Sequence, residues 1–309
     1  KDLKMKKLFM VLFAAFLMLG IAACNGEEDA RTYVADGDFT AFKIHLHSNG
    51  SPMITSVTVT IENDEIKGFS IDALQSNGTT FVWNEQSKKE LGYAYRMHGQ
   101  RDLSEADYIT WLDENERLEW FEQAELIEAY WVANGVDSVT VDSGLVINNV
   151  SGVTIKDGNY IELAKEAVAQ AKEGVTKAFT VSMSYGKPQV VWATLKVDAK
   201  GDAVELELDT LQSTITEGVF AWNEKSKQEL QYAYRMHGQR DLSEADYITW
   251  LQTNEKLEWF EQADMITDYI VANGLPTSFV VQDVEALADV SITTDTYETV
   301  IKACYDQIK

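Results

Sequence analysis

The chain has 309 residues, with 26 Lys and Arg against 50 Asp and Glu, which gives a formal net charge of −24 at pH 7. So large an acidic excess argues against nucleic acid as a partner, because binding to a phosphate backbone needs a surplus of Lys and Arg. Two cysteines exclude a disulfide framework, and 45% apolar residues with three prolines indicate compact globular units.

The amino terminus has the pattern of an export signal. Two lysines precede an apolar run, Leu8 to Ala23, which ends directly before Cys24. A charged segment followed by a short apolar segment is typical of a signal peptide, and an uncleaved anchor is the alternative. The ending Ile-Ala-Ala-Cys resembles the bacterial lipobox. This resemblance implies a signal peptide over residues 1–23, a lipid on the Cys24 thiol, and a polar tether over residues 24–32.

A repeat divides the rest of the chain. Tyr93 to Leu112 and Tyr232 to Leu251 have the same twenty residues, at an offset of 139. We refer to each copy as the identical segment. The repeat predicts two domains, residues 33–174 and 175–309, each long enough to bury its own core. A residue that performs one function per unit is expected once in each half.

Each half begins with segments in which apolar and polar residues alternate, the pattern of half-buried strands. Helical patterns follow, so each half is predicted to be an α+β unit in which a small antiparallel sheet packs against helices. The predicted strands are Ala41–Leu46, Ser56–Glu62, Ile66–Leu74, Ala178–Met183, Val190–Val197 and Ala203–Leu211, with short β segments at Ser138–Val141 and Ser278–Val281.

The helices are predicted from composition, apolar spacing and capping residues. Ser104 and Asp107 form a capping pair at the start of one helix, and Gly135 has the position of a C-terminal cap. The predicted helices are Gln86–Gln100, the one that Ser104 opens, the one from Leu118 to Asn134, and the final helices Tyr160–Lys172 and Tyr297–Ile308, with counterparts in the second half for the first three.

A polar turn precedes the final helix of each half. It reads Asn-Val-Ser-Gly-Val-Thr up to Thr154 and Asp-Val-Ser-Ile-Thr-Thr up to Thr294. An offset of 140 pairs these two threonines and also pairs Ser151 with Ser291. Gly152 permits a sharp turn, and a helix N-terminus just beyond the turn favours a phosphate group. An ordinary Ser/Thr-rich turn that caps a helix is the alternative.

This turn resembles that of the FMN-binding domain family, which is close to Asp-x-x-Ser/Thr-Gly-Ala-Thr. In that family a flavin transferase attaches FMN through its phosphate to the last threonine. The resemblance implies covalent FMN on Thr154 and on Thr294, with Ser151, Gly152 and Ser291 in the same turns. The repeated WNxxSK and LEWFEQA sequences resemble the helical part of the family. The first turn departs from the motif at its acidic position, and the second departs at the glycine.

The combination of two such units with a lipobox is similar to the pheromone-encoding, flavinylated lipoproteins of Gram-positive bacteria. It implies an extracellular electron carrier that is lipid-anchored to the cell membrane. The implied electron donor is a membrane quinone-linked protein, and the implied acceptors are ferric iron and soluble flavin. The signal peptide would then also be a pheromone precursor.

Four further residues are candidates for contacts with the flavin ring. Trp83 and Trp222 occupy matching positions and can stack on it, and Met97 and Met236 of the identical segments can line the same slot. Each is also a common type of core residue. No HExxH, P-loop or GxGxxG sequence is present, so no catalytic residue and no metal site is predicted. The alternative function is a non-redox solute-binding or adhesive lipoprotein with duplicated acidic domains.

Overall fold

The structure, a computed structural model, describes residues 31–276 and 279–309. The predicted signal peptide, Cys24 and most of the tether lie outside these ranges, as does Ser278. Residues Thr32–Lys309 form one compact unit. Within the described ranges, no helix combines the length and the apolar character needed to cross a membrane.

The first half contains three strands and four helices. The strands are β1 (Gly37–Leu46), β2 (Pro52–Glu62) and β3 (Glu65–Gln75), and the helices are α1 (Lys88–Leu91), α2 (Glu105–Glu114), α3 (Trp120–Asn134) and α4 (Tyr160–Glu173). The strands form an antiparallel sheet in the order β1-β2-β3. Asn63 and Asp64 join β2 to β3 with φ angles of 54° and 61°, which is the left-handed geometry of a tight hairpin turn.

The second half repeats this order and adds a two-stranded sheet. Its strands are β4 (Val175–Ser184), β5 (Lys187–Val197), β6 (Ala203–Leu211), β7 (Ser213–Thr216) and β8 (Val219–Trp222), and its helices are α5 (Lys227–Leu230), α6 (Glu244–Thr253), α7 (Trp259–Asn273) and α8 (Asp295–Asp306). The main sheet has the order β4-β5-β6, and β7 pairs with β8. The predicted α+β class with small antiparallel sheets and packed helices is confirmed.

Helices cover one face of each sheet. In the first half, α3 packs on β3 and α4 packs on β1 and β2, and in the second half α7 and α8 cover β4, β5 and β6 in the same way. The buried face is apolar because alternate strand residues point toward the helices. Fully buried members of this core are Phe39, Val57, Ile61, Ile71, Ile127, Leu195, Ile266 and Val300.

The two halves contact each other through equivalent residues. Phe42 packs on Phe179 with ring centroids 5.0 Å apart, and Phe81 packs on Phe220 at 5.4 Å. When a residue meets its own counterpart, the interface is isologous, as in a dimer with two-fold symmetry. The halves are thus related by an internal pseudo-two-fold axis. The joint between them is a single residue, Gly174, which separates α4 from β4.

The secondary-structure predictions for two segments of each half are wrong. The single helix predicted over Gln86–Gln100 is instead a four-residue helix, α1, followed by one 3₁₀ turn, Gly92–Tyr95. Arg96 ends that turn with a φ of 57°, a left-handed conformation that an α-helix cannot continue through. The predicted strand Ser138–Val141 is a 3₁₀ turn, Val136–Ser138, followed by a single bridge between Val141 and Ile147. In the second half the counterpart of Gln86–Gln100 is the short helix α5 and the 3₁₀ turn Gln231–Tyr234, and the described part of Ser278–Val281 contains no strand.

Candidate functional site

A glutamine on α3 holds the turn that contains Thr154. The Gln123 side-chain oxygen Oε1 accepts the N–H of Thr154 at 2.7 Å, the N–H of Ile155 at 3.2 Å and the Thr154 hydroxyl at 3.2 Å. Val153 and Ile155 are buried on either side, whereas Thr154 is exposed. The turn therefore presents the Thr154 hydroxyl to solvent from a fixed backbone.

Gly152 makes the sharp bend in this turn. Its φ is 84°, a conformation that glycine adopts readily and other residues adopt at a cost. A Cβ at this position would lie 3.0 Å from the Leu126 Cδ1 atom and 3.3 Å from the Leu118 Cδ1 atom. The bend therefore packs directly against α3 and the segment before it.

The same glutamine connects the turn to the identical segment. Gln123 Nε2 donates to the Leu118 carbonyl at 2.9 Å and approaches the Met97 sulfur at 3.4 Å. Gln123 is not among the residues predicted from the sequence. The signal that can identify it is the repeated LEWFEQA sequence, in which a glutamine stands on the largely apolar, buried face of a helix.

In the second half, Ser291 occupies the place of Thr154. Gln262 Oε1 accepts the Ser291 N–H at 2.6 Å, the Ile292 N–H at 3.1 Å and the Ser291 hydroxyl at 3.2 Å. Gln262 Nε2 in turn donates to the Leu257 carbonyl and approaches the Met236 sulfur at 3.4 Å. Ser291 is exposed, like Thr154.

The predicted pairing of Thr154 with Thr294 at an offset of 140 is therefore wrong. The offset is 139 at Gly135 and Gly274, which end α3 and α7, and it falls to 137 at the turn because the connection in the second half is two residues shorter. Thr294 is fully buried at the start of α8, where its hydroxyl donates to Glu298 Oε1 at 2.8 Å.

A groove runs between the identical segment and the turn in the second half. Its volume is about 610 Å³. The identical segment supplies Tyr232, His237, Ile248 and Leu251, the following chain supplies Gln252, Glu255, Lys256, Leu257 and Glu261, and the turn supplies Ala288, Asp289 and Ser291. Ser291 therefore lies at the edge of this groove, and the identical segment forms one of its walls.

A buried carboxylate fixes the shape of the identical segment. Glu119 caps α3 and accepts the Met97 N–H at 3.1 Å and the Tyr108 hydroxyl at 2.6 Å. The Arg96 guanidinium lies 4.2 Å from the centre of the Tyr108 ring. Burial is the larger cause, and the hydrogen bond to Glu119 the next, of a rise in the Tyr108 pKa to about 12. The hydroxyl therefore remains a donor at neutral pH.

The second half repeats this network around Glu258. Glu258 accepts the Met236 N–H at 3.1 Å and the Tyr247 hydroxyl at 2.5 Å. The Arg235 guanidinium lies 4.3 Å from the Tyr247 ring centre. Twenty identical residues thus fold into two copies of one geometry, each tied to the carboxylate that opens the next helix.

The two tryptophans predicted to stack on a ligand stack on each other. Trp83 and Trp222 have ring centroids 6.2 Å apart and an interplanar angle of 27°. Trp222 Nε1 also donates to the His45 carbonyl at 3.2 Å. Both rings belong to the interface between the halves. The structure therefore brings together Ser291 and the identical segment, and it places these tryptophans elsewhere.

The helix N-terminus expected to favour a phosphate already has an acidic partner. In α4 the first-turn N–H of Ile161 donates to Asp157 Oδ1 at 3.2 Å. Asn149 occupies the acidic position of the motif and is used structurally, accepting the Thr140 N–H and donating to the Ser138 carbonyl. Neither feature adds an anion site beside Thr154.

Comparisons with known proteins give little further information. No family model and no curated protein matches the chain. The chain is similar to a protein of Clostridium thermocellum whose solution NMR structure was a target of the Northeast Structural Genomics Consortium, with 24% identity over 44% of this chain and 91% of that chain. The TM-score is 0.29, too low to support an argument about fold or function.

Proposed function

We propose that the protein is a surface lipoprotein that carries FMN on the two turns, and that in the second half the FMN lies in the groove between the identical segment and the turn. The flavin phosphate would be esterified to Thr154 in the first half and to Ser291 in the second. The observation that carries the proposal is the equivalence of these two hydroxyls. Both are exposed, and both are held by a glutamine that also contacts the identical segment.

The groove suits a covalently attached flavin. Its volume of about 610 Å³ lies within the usual range for sites of small ligands and cofactors. Glu255, Glu261 and Asp289 line it together with one cation, Lys256. A free FMN phosphate carries nearly two negative charges, which these acids repel. A diester retains one, so a covalent bond would hold the flavin where charge alone does not.

The proposal includes the export and anchoring features of the sequence. The flavin would supply the redox chemistry, and the protein would supply attachment and burial. Tandem FMN-binding domains, lipidation of Cys24, a maturing flavin transferase, a quinone-linked membrane donor, and ferric iron or soluble flavin as acceptors all belong to this proposal. The net negative charge of the chain supports ferric iron as an acceptor, because it attracts cations.

Mass spectrometry after co-expression with a flavin transferase tests the attachment sites. Transfer from FAD to a side-chain hydroxyl releases AMP and adds the mass of FMN less one water. We expect a yellow protein with one such addition per filled site. Thr154→Ala and Ser291→Ala should each remove one addition, whereas Thr294→Ala should leave the number unchanged because that hydroxyl is buried.

Three results would contradict the proposal. One is a colourless, unmodified protein in the presence of an active transferase. Another is a Thr294→Ala variant that loses one FMN, together with a double variant, Thr154→Ala and Ser291→Ala, that still carries every FMN of the parent. Unchanged biological function in that double variant would favour a non-redox binding or adhesive lipoprotein.

A further inference from the structure

A second cavity lies on the other side of the turn that contains Ser291. Its volume is about 530 Å³, and it is bounded by the tip of the β4–β5 hairpin, the start of α5, the start of α7 and the residues before α8. Its aromatic lining comes from Tyr185, Tyr234, Trp259 and Tyr297. The cavity thus has the size and the flat apolar surfaces that a small aromatic molecule requires.

Lys227 is a buried cation in the wall of this cavity. It is 8% exposed, and its ammonium nitrogen lies 5.0 Å from the ring centres of both Tyr234 and Trp259. It makes no hydrogen bond or ion pair with any described residue. Cation–π contacts compensate only part of the lost hydration. Burial lowers the Lys227 pKa to about 8, against the opposing charges of Asp209 and Glu258.

Those two carboxylates are already engaged by other donors. Asp209 accepts the Gln228 N–H at 3.0 Å and the Thr210 N–H at 2.7 Å. Glu258 accepts two backbone N–H groups and the Tyr247 hydroxyl. Lys227 is therefore a cation near acids that do not bind it directly, and its ammonium group retains donors for an anion in the cavity.

Gln189 contributes an acceptor without a partner. Its Nε2 donates to the Ser182 hydroxyl at 2.8 Å, whereas its Oε1 is buried and accepts no hydrogen bond from the described residues. Both residues line the cavity that Lys227 lines. A buried acceptor is stabilised when a ligand donates to it. The same cavity thus presents one unpaired cation and one unpaired acceptor.

Three basic residues lie beside the cavity, and one acidic residue, Asp295, is part of its lining. An adjoining cavity of about 290 Å³ is lined by Lys187, Arg235 and Arg240 and shares Tyr185 with the first. These cations stand out in a chain with a net charge of −24. Tyr185 has a φ of 49° at the hairpin tip, and its side chain is fully exposed. Cations beside a cavity raise the local concentration of anions.

We propose that this cavity binds a small aromatic acid that carries a ring hydroxyl. The carboxylate would pair with the Lys227 ammonium, and the hydroxyl would donate to Gln189 Oε1. Such a ligand also explains why a lysine is buried there without an ion pair. Ser291 lines both this cavity and the groove proposed for FMN, and Met236 lines this cavity as well, so the binding test uses the flavin-free chain.

The first half provides a natural control. Lys88 is the counterpart of Lys227 and is caged by Tyr95 and Trp120, but it lines a smaller cavity of about 220 Å³. Met53 is the counterpart of Gln189, because the prolines that precede them, Pro52 and Pro188, have equivalent partners in the neighbouring strand. The first half therefore lacks the unpaired acceptor and is not expected to bind the same ligand.

Isothermal titration calorimetry on the purified, flavin-free full-length chain tests the proposal. The probes are 4-hydroxybenzoate, benzoate and 4-hydroxybenzamide at pH 7. We expect 4-hydroxybenzoate to bind at one site per chain. Benzoate lacks the hydroxyl that would donate to Gln189, and 4-hydroxybenzamide lacks the carboxylate that would pair with Lys227, so each should bind about tenfold or more weakly. Lys227→Met should abolish binding of 4-hydroxybenzoate, whereas Lys88→Met should leave it unchanged.

Gln189→Met introduces the first-half residue and gives a second, milder test. It should remove the preference for 4-hydroxybenzoate over benzoate while leaving benzoate binding intact. Circular dichroism confirms that each variant is folded, and Gln189→Met still decides the matter if Lys227→Met does not fold. The proposal is overturned if no probe binds at millimolar concentration, if the lysine variants behave alike, or if 4-hydroxybenzamide binds as well as 4-hydroxybenzoate.

Discussion

One glutamine per half holds one hydroxyl and the backbone of the turn in place. Gln123 and Gln262 each accept two backbone N–H groups and a hydroxyl, so the turn backbone is fixed to the helix that carries the glutamine. A threonine three residues beyond Ser291 is buried instead. The position of each hydroxyl is thus fixed by a residue 31 or 29 positions away in the sequence.

Gly152→Ala should destabilise the protein more than Gly99→Ala. Both glycines have a positive φ, 84° and 77°, so each substitution costs about 1–2 kcal/mol in backbone strain. A Cβ at Gly152 would also meet the Leu126 Cδ1 atom at 3.0 Å, whereas nothing lies within 4 Å at Gly99. Chemical denaturation of both variants measures the difference, and equal losses would contradict the packing described for the bend.

The exposed threonine of the first half was predictable from the sequence, but its counterpart was not. Thr154 follows a Ser-Gly pair in a polar turn, which is a local pattern. In the second half the sequence offers Ser291, Thr293 and Thr294 within four residues. Choosing among them requires knowing that the preceding connection is two residues shorter, and this becomes visible only when Gln262 is seen to bind Ser291.

At the scale of elements, the two shortest α-helices of the described ranges, α1 and α5, each begin with a buried lysine. Lys88 and Lys227 are the first residues of α1 and α5, each opened by a capping box, and burial lowers the pKa of both lysines to about 8. Each ammonium lies over two aromatic rings instead of beside a carboxylate. The two halves thus contain matched buried cations.

Stability should rise as the pH increases from 8 to 9. In that range the unfolded chain keeps both lysines protonated, with a pKa of about 10.4, whereas the folded chain releases the protons. The unfolded state therefore binds more protons, and each lysine raises the free energy of unfolding by up to about 1.4 kcal/mol for every step of one in pH. This stability is lost as the pH falls toward 8.

The Lys88→Met and Lys227→Met double variant is the control for this prediction. It lacks both groups, so its free energy of unfolding should change less over the same interval in urea titrations at matched ionic strength. Burial raises the pKa of Cys304 and of tyrosines such as Tyr108 to about 12; these groups ionise first in the unfolded state and oppose the rise increasingly above pH 9, in the variant and the parent alike. Parallel pH profiles for variant and parent would contradict the assignment.

The strands were easier to predict from sequence than the segment after them. β6 has the predicted bounds, Ala203–Leu211, because alternation of buried and exposed residues directly reflects a sheet with one covered face. The error over Gln86–Gln100 has a different origin. Its helical composition is overridden by tertiary contacts of Arg96 and Met97 with Tyr108 and Glu119, which no local pattern records.

At the scale of the whole molecule, the aromatic pairs across the pseudo-two-fold axis join the halves. Trp83 meets Trp222, and Phe81 meets Phe220. Cross-half hydrogen bonds add to them, since Gln307 Oε1 accepts the Thr40 hydroxyl at 3.0 Å and Thr176 Oγ1 accepts the Thr40 N–H at 3.3 Å. We expect the halves to unfold together in one transition.

A double-mutant cycle on Trp83 and Trp222 tests this coupling. Trp83→Leu and Trp222→Leu should each destabilise the protein, with an interaction energy of about 0.5–1.5 kcal/mol, as measured for aromatic pairs. A control cycle combines Trp83 with Trp111, which stacks on Tyr108 within the first half. Its interaction energy should be near zero. Two separate unfolding transitions would argue against a shared interface.

The ends of the compact unit meet. The Asp38 N–H donates to the Gln307 carbonyl at 2.8 Å, and the Lys309 N–H donates to the Asp36 carbonyl at 3.1 Å. Residues near the two ends of the compact unit therefore lie side by side. A circular permutant that joins Lys309 to Thr32 and opens in the exposed loop at Ser143 should fold with nearly unchanged stability. A tether attached to either terminus would then hold the unit by the same point on its surface.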